Sequence, residues 1–214
     1  MKNRWLGPAV VAAMWIAAAL LYGRLPERIP THWDAAGRVD GWAGREAAFL
    51  LPAAAAASLG LMYLLRRIDP RRANVSRFAG EWVLIVNLIV VFLAFVQGAT
   101  MAYALGVEMD VTAVMMAGGG LLMAVFGNFM PRLRSNWWMG IRTPWTLENE
   151  RVWRATHRLG GITFVLGGLG MFAAAWLPAP QRTWVMTASV ALAAGIPLVY
   201  SYVAYRRDAA GRPI

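Results

Sequence analysis

Six stretches of this chain contain no Asp, Glu, Lys, Arg or His: 5–23, 47–65, 82–107, 111–131, 160–181 and 183–205. Each is long enough to cross a hydrocarbon core, which takes roughly 20 helical residues. The expected fold is therefore all-α, a polytopic membrane helical bundle with six transmembrane helices and a short cytoplasmic interfacial helix. Composition agrees: 59% of residues are hydrophobic and 15% charged, where a soluble domain carries about 25% charged. Cysteine is absent, which removes disulfides, thiolate metal sites and Cys nucleophiles.

The net charge of +10 does not call for nucleic acid, because the arginines sit in short clusters between apolar runs. Their placement follows the positive-inside pattern. The N-terminus, the second and fourth connections and the C-terminal tail hold sixteen Lys and Arg, and the odd connections hold five. Both termini are expected in the cytoplasm. Residues 1–23 have the basic start and apolar run of a secretory signal, but with five further spans behind them an uncleaved first helix is expected.

Residues 24–46 form the sizeable outer loop. Pro26 and Pro30 disfavour helix at the residues before them, and Ala36-Gly37 and Asp40-Gly41 are turn signals. His32, Asp34 and Asp40 match no strong metal-ligand spacing, so solvated turn carboxylates are expected and no metal. Trp33 and Trp42 suit the outer interface. The second connection, with Arg66, Arg67, Arg71, Arg72 and Arg77, reads as a headgroup-facing cluster that topology alone requires.

Within the spans, Asn87 and Gln97 are expected to bond a neighbouring helix. No charged residue or His lies inside any span, which counts against active transport, since proton relays and ion-coupled transporters use one. Gly118 to Gly120 in the fourth span, and Gly160, Gly161, Gly167, Gly168 and Gly170 in the fifth, allow close helix approach. Pro52 and Pro197 are expected to kink their helices.

One stretch, Gly127 to Gly161, is not explained by residence in a bilayer. It is basic, aromatic and turn-rich, with Trp137, Trp138, Trp145 and Trp153 among the eleven tryptophans. Asn128 and Asn87 are placed to make a polar floor beneath it if their helices are adjacent. Thr146 is the expected N-cap of an amphipathic helix over 147–158, lying on the membrane and leading into the fifth span. Glu148 and Glu150 fall in its first turn, and Arg151, Arg154 and Arg158 later, which complements the helix dipole. Arg142 has no acidic neighbour in sequence, and a guanidinium there bonds carbonyls, a carboxylate or lipid phosphate. A plain interfacial loop anchored by Trp and Arg would use the same residue types.

At these residues the chain resembles the SdpI-type family of bacterial membrane proteins. The likeness lies in Gly127-Asn128-x-Met130-Pro131, then Asn136-x-x-x-Gly140-Ile141-Arg142-Thr143-Pro144-Trp145-Thr146, Glu150-x-x-Trp153 and His157-Arg158-x-Gly160-Gly161. The outer loop, with Ile29-Pro30-Thr31-His32-Trp33, Gly37 and Asp40-Gly41-Trp42, is similar to the uncharacterised domain that often precedes that motif. The resemblance implies a multi-pass protein of the bacterial inner membrane. It implies immunity to a secreted, membrane-active peptide toxin, and a receptor role that holds a small cytoplasmic transcriptional repressor at the membrane. It divides the chain into an N-terminal three-helix region, 1–110, and an SdpI-like three-helix region, 111–214, with a cytoplasmic motif loop at 132–159. Partner- or ligand-binding candidates are Asn128, Pro131, Asn136, Gly140, Arg142, Thr143, Pro144, Trp145, Trp153, His157, Arg158 and Gly161. Those of the outer loop are Pro30, His32, Trp33, Asp40 and Gly41.

A small-solute or peptide transporter is the alternative, since three spans in each half would give inverted topology. The kinking prolines do not correspond between halves, however, and no internal repeat is visible. An intramembrane enzyme would need His-Glu-x-x-His or paired buried carboxylates, and neither is present. No catalytic residue and no cofactor is expected.

Overall fold

A computed structural model describes residues 3–34 and 36–214. Lys2, counted in the charge bias, lies outside them. Eight α-helices and one β-hairpin are present among the described residues: α1 Leu6–Leu21, β1 Arg28–Trp33, β2 Val39–Gly44, α2 Leu50–Ile68, α3 Arg72–Arg77, α4 Ala79–Ala104, α5 Val111–Phe129, α6 Pro144–Glu148, α7 Glu150–Ala174 and α8 Ala179–Ala209. The helical bundle is the expected fold class.

Among the described residues, five helices are long and apolar enough to cross a membrane: those within 6–24, 45–68, 79–104, 111–132 and 179–209. The remaining expected span, the fifth in chain order, is α7. Its early turns carry Glu150, Arg151, Arg154 and Arg158, and the charge-free remainder, 159–174, rises only about 24 Å at 1.5 Å per residue. That is short of a core roughly 30 Å thick. Even so, α7 packs lengthwise between α5 and α8. Large apolar side chains such as Leu20, Leu64, Leu166 and Val199 point outward along the helices, as lipid-facing residues do.

The second half is held by small residues. A Cβ on Gly120 would lie 2.6 Å from the Gly168 carbonyl oxygen, and one on Gly127 would lie 2.8 Å from that of Gly161. These pairs place α5 and α7 antiparallel with their backbones in contact, which in lipid replaces hydrophobic burial as the source of association. The Thr163 hydroxyl donates to the Ala193 carbonyl on α8 at 3.0 Å. In the first half, polar side chains do the joining. Asn87 of α4 accepts from the Gly7 amide at 3.1 Å and donates to the Asn3 carbonyl at 2.9 Å, and Gln97 donates to the Met14 carbonyl at 3.0 Å. Both polar residues bond α1 or the residues leading into it, as expected of amides at membrane depth.

Three expectations are corrected. The loop 24–46 contains an antiparallel hairpin with an irregular register around Pro30 and His32. Gly41 is required there, because a Cβ would lie 2.8 Å from that of His32. Pro52 does not kink α2; it stands third in the helix, where its missing N–H removes no intrahelical bond. Residues 147–158 are not a separate helix on the membrane. The chain breaks at Asn149 between α6 and α7, and 150–158 is the packed beginning of α7, with Val152, Trp153, Ala155, Thr156 and His157 all buried.

Candidate functional site

The connection between α5 and α7 is folded around one of its own side chains and bonded to its neighbours. Asn136, fully buried, forms its centre. Its Oδ1 accepts from the Trp138 and Met139 amides at 2.8 and 2.7 Å, and its Nδ2 donates to the Arg134 and Met139 carbonyls at 2.9 and 3.0 Å. The chain then turns through Gly140 at φ +102°, where a Cβ would lie 2.3 Å from His157 Nε2. Glycine is obligatory there on both counts.

His157 locks that turn to α7. Its Nε2 accepts from the Ile141 amide at 3.0 Å, and its Nδ1 hydrogen-bonds the Trp153 carbonyl at 2.8 Å, which makes it the neutral Nδ1–H tautomer. The imidazole stacks on the Trp153 indole at 4.0 Å, whose Nε1 donates to the Leu133 carbonyl at 2.8 Å. Burial lowers the His157 pKa to about 4, with the Trp153 bond opposing it. The unfolded imidazole therefore binds a proton below about pH 6.5 that the folded one refuses until about pH 4. Stability from this site is full above pH 6.5 and falls as pH drops towards 4, by up to about 3 kcal/mol. Thermal unfolding of the purified protein across this window should show that slope, and a His157→Gln variant should lack it.

Thr143, not Thr146, caps α6. The Thr143 hydroxyl accepts from the Thr146 amide, and the Thr146 hydroxyl accepts from the Thr143 amide at 2.9 Å, a reciprocal capping box. Pro144 takes the first helical turn, where no N–H is needed. Asn149 caps α7 through the Arg151 and Val152 amides. Trp145 docks α6 on α8, its indole donating to Ser201 Oγ at 2.5 Å and meeting Tyr202 edge-on at 5.3 Å. Gly161 is buried against the Pro131 ring and the Gly127 carbonyl.

The candidate residues thus divide in two. Asn136, Gly140, Thr143, Trp145, Trp153, His157 and Gly161 hold the shape. Pro131, Arg142, Pro144 and Arg158 are exposed on it, together with Trp137. Arg142 meets the expected kind of partner, donating to the Trp137 carbonyl at 2.8 Å. Asn128 is exposed and Asn87 is occupied with the N-terminal segment, so the expected polar floor does not form.

That role belongs to residues outside the candidate set. Asp69, 2% exposed, accepts from the Arg71 amide and from the Trp137 amide at 3.0 Å. Arg71 donates to Ser135 and to the Leu147 carbonyl at 2.5 Å, and Asn74 to the Ser135 carbonyl at 3.0 Å. The connection before α4 is therefore a clamp on the motif, beyond its expected role as a headgroup-facing cluster. Asp208 of the tail closes the other side through Asn149 at 2.6 Å and Arg151 at 3.0 Å. The available signal was that Asp69 is the one acid among five arginines, and Asp208 the one acid near the C-terminus.

At the opposite, hairpin end, His32 Nδ1 and Asp40 Oδ1 lie 2.5 Å apart on the exposed surface. Among the described residues no group of three His, Asp or Glu forms a metal-ligand set. Asp34 caps the turn through the Ala36 and Arg38 amides, and bonds to the Arg38 amide and guanidinium hold its carboxyl below the usual range. Thr112 ties the Asp34 carbonyl to α5 at 3.2 Å. Asp110 caps α5 and pairs with the buried Arg182 of α8 at 2.6 Å. Burial pushes the Asp110 carboxyl up, but the Ala113 amide and Arg182 outweigh it and hold it low. Trp33 rests edge-on against Tyr103 at 5.7 Å, and Pro30 is buried.

Comparison with known proteins supplies the context. Residues 132–201 match the SdpI/YfhL protein family, and residues 9–56 match a domain of unknown function, DUF1648. The immunity protein SdpI of Bacillus subtilis is 25% identical over 207 residues, covering 97% of this chain and 98% of that protein. An uncharacterised protein of Archaeoglobus fulgidus is 31% identical over 58 residues, 27% of this chain and 32% of that one. No solved structure matches significantly.

Proposed function

From the matches of residues 132–201 to the SdpI/YfhL family and of residues 9–56 to DUF1648, we propose that this chain is a multi-pass membrane immunity protein of the SdpI type. In this reading it protects the cell against a membrane-active peptide toxin and holds a cytoplasmic regulator, such as a transcriptional repressor, at its motif face. The supporting observation is the division within the motif. Its buried residues are hydrogen-bonded within the motif and to its neighbours, which leaves Trp137, Arg142, Pro144 and Arg158 displayed on a pre-organised platform. A pre-organised platform loses little entropy on binding, and that suits recognition better than catalysis. No enzymatic role is assigned.

We place the hairpin end outside and the motif end in the cytoplasm of a bacterial inner membrane, following the bias of Lys and Arg; both termini are then inside, with α7 crossing beside α5 and α8 to make six passes. The division into 1–110 and 111–214 fits this scheme. The first part carries the hairpin and the second the motif. Toxin binding acts on the platform to the extent that it favours one arrangement of helices over another.

The test is survival of toxin-sensitive bacteria expressing the chain, with co-isolation of cytoplasmic partners. The wild type should raise survival and retain a partner. Arg142→Ala should insert normally, because its one hydrogen bond is to an exposed carbonyl, yet reduce partner recovery about tenfold, the order of one charge-assisted contact. Undiminished recovery would remove Arg142 from the partner surface.

A further inference from the structure

Beneath the hairpin, among α2, α4, α5, α7 and α8, lies a cavity of about 530 Å³, within the range of pockets that bury a drug-sized ligand. Five of the chain's twelve methionines line it: Met101, Met115, Met116, Met171 and Met186. Unbranched thioether side chains re-pack around varied apolar shapes. Among the described residues, no Asp, Glu, Lys or Arg lines the cavity, and the ionisable lining residue, His32, is already bonded to Asp40. An anionic headgroup would find no counter-charge there.

Two lining residues carry buried polar atoms with no partner among the described residues: the Gln97 Oε1 acceptor and the Trp33 Nε1 donor. The Gln97 amide cannot simply be reversed, because its nitrogen donates to the Met14 carbonyl, which only accepts. Buried polar groups are nearly always satisfied. One unpaired acceptor and one unpaired donor on residues that line an uncharged, apolar cavity are complementary to a ligand that carries both a donor and an acceptor, as a peptide backbone does. Both atoms are covered by neighbouring side chains, so a ligand reaches them through side-chain rotation.

We propose that this cavity binds an uncharged, apolar peptide segment. The peptide carbonyl accepts from the Trp33 indole, the peptide N–H donates to Gln97 Oε1, and the methionines surround its side chains. The site stands on the chemistry of the cavity. Its use in capturing a toxin rests on the immunity reading above.

The experiment uses the full chain in nanodiscs of phosphatidylethanolamine and phosphatidylglycerol. The probe is an acetylated, amidated Leu/Val hexapeptide carrying one photoreactive benzoylphenylalanine. Crosslinks should map to the lining methionines, and unlabelled peptide should compete. Gln97→Leu and Trp33→Phe should each weaken competition about fivefold, the worth of one hydrogen bond. An N-methylated probe, lacking the donor, should bind the wild type as weakly as Gln97→Leu and lose nothing further in that variant. Met116→Trp, which narrows the cavity, should weaken labelling. Labelling elsewhere, or competition by oleyl alcohol as strong as by the peptide and unaffected by Gln97→Leu, overturns the proposal, the latter in favour of an acyl-chain site. Labelling here without protection of cells overturns the immunity reading and leaves the site. Protection by a wild type that shows no labelling does the reverse.

Discussion

Gly168→Ala is expected to lower stability, although alanine is the better helix former by about 1 kcal/mol. The added Cβ would lie 2.5 Å from both the Ala124 amide nitrogen and the Gly120 carbonyl oxygen. Those are backbone atoms of α5 and cannot rotate away, so α5 and α7 must separate along their contact. Overpacking of this kind costs about 1–3 kcal/mol, enough to reverse the propensity gain, and Gly168→Leu should prevent the second half from assembling. The control is Gly195→Ala, whose Cβ meets nothing within 4 Å; it should hold or raise the unfolding midpoint. Detergent-dependent unfolding of the three variants checks the order. A Gly168→Ala protein as stable as Gly195→Ala would remove close backbone approach as the basis of this packing.

Asn136→Ala carries the second large effect. It deletes four hydrogen bonds from a fully buried side chain and leaves the Trp138 and Met139 amides without their partner. At about 1 kcal/mol net per bond, the loss is roughly 3–4 kcal/mol, concentrated in the motif. Asn136→Asp has the same shape and keeps the Oδ1 acceptor. It replaces the donating nitrogen with an oxygen facing the Arg134 and Met139 carbonyls, so it should fall at least as far at pH 7. Limited proteolysis after Arg134 and Arg142 reads the loss locally, since both become cleavable when the connection opens. Resistance equal to wild type in Asn136→Asp would contradict the hydrogen-bond assignment.

Much of the bundle was legible because burial in lipid writes long charge-free runs, and because Asn87, Gln97 and the glycine pairs have few uses in a span other than helix contacts. The hairpin was not. Arg28-Ile-Pro-Thr-His-Trp33 lacks a clean apolar alternation, and Pro30 argues for a loop until the irregular register around it is known. The motif connection was recognisable as unusual, but its caps were misplaced, since Thr143, Thr146 and Asn149 are all acceptable caps by type. Only the backbone decides among them. The clamp from Asp69 and Arg71 joins residues separated by 64 to 76 positions, which no local pattern discloses. Asn128 sits on a helix whose facing direction is set by the α5–α7 contact, and that contact turns it outward.

The most direct measurement is membrane potential, followed with a voltage-sensitive dye in bacteria exposed to a membrane-active peptide toxin. Cells expressing this chain should hold their potential, and cells expressing Gly168→Leu should lose it. Collapse of the potential in cells with confirmed, correctly folded wild-type protein would contradict the immunity account.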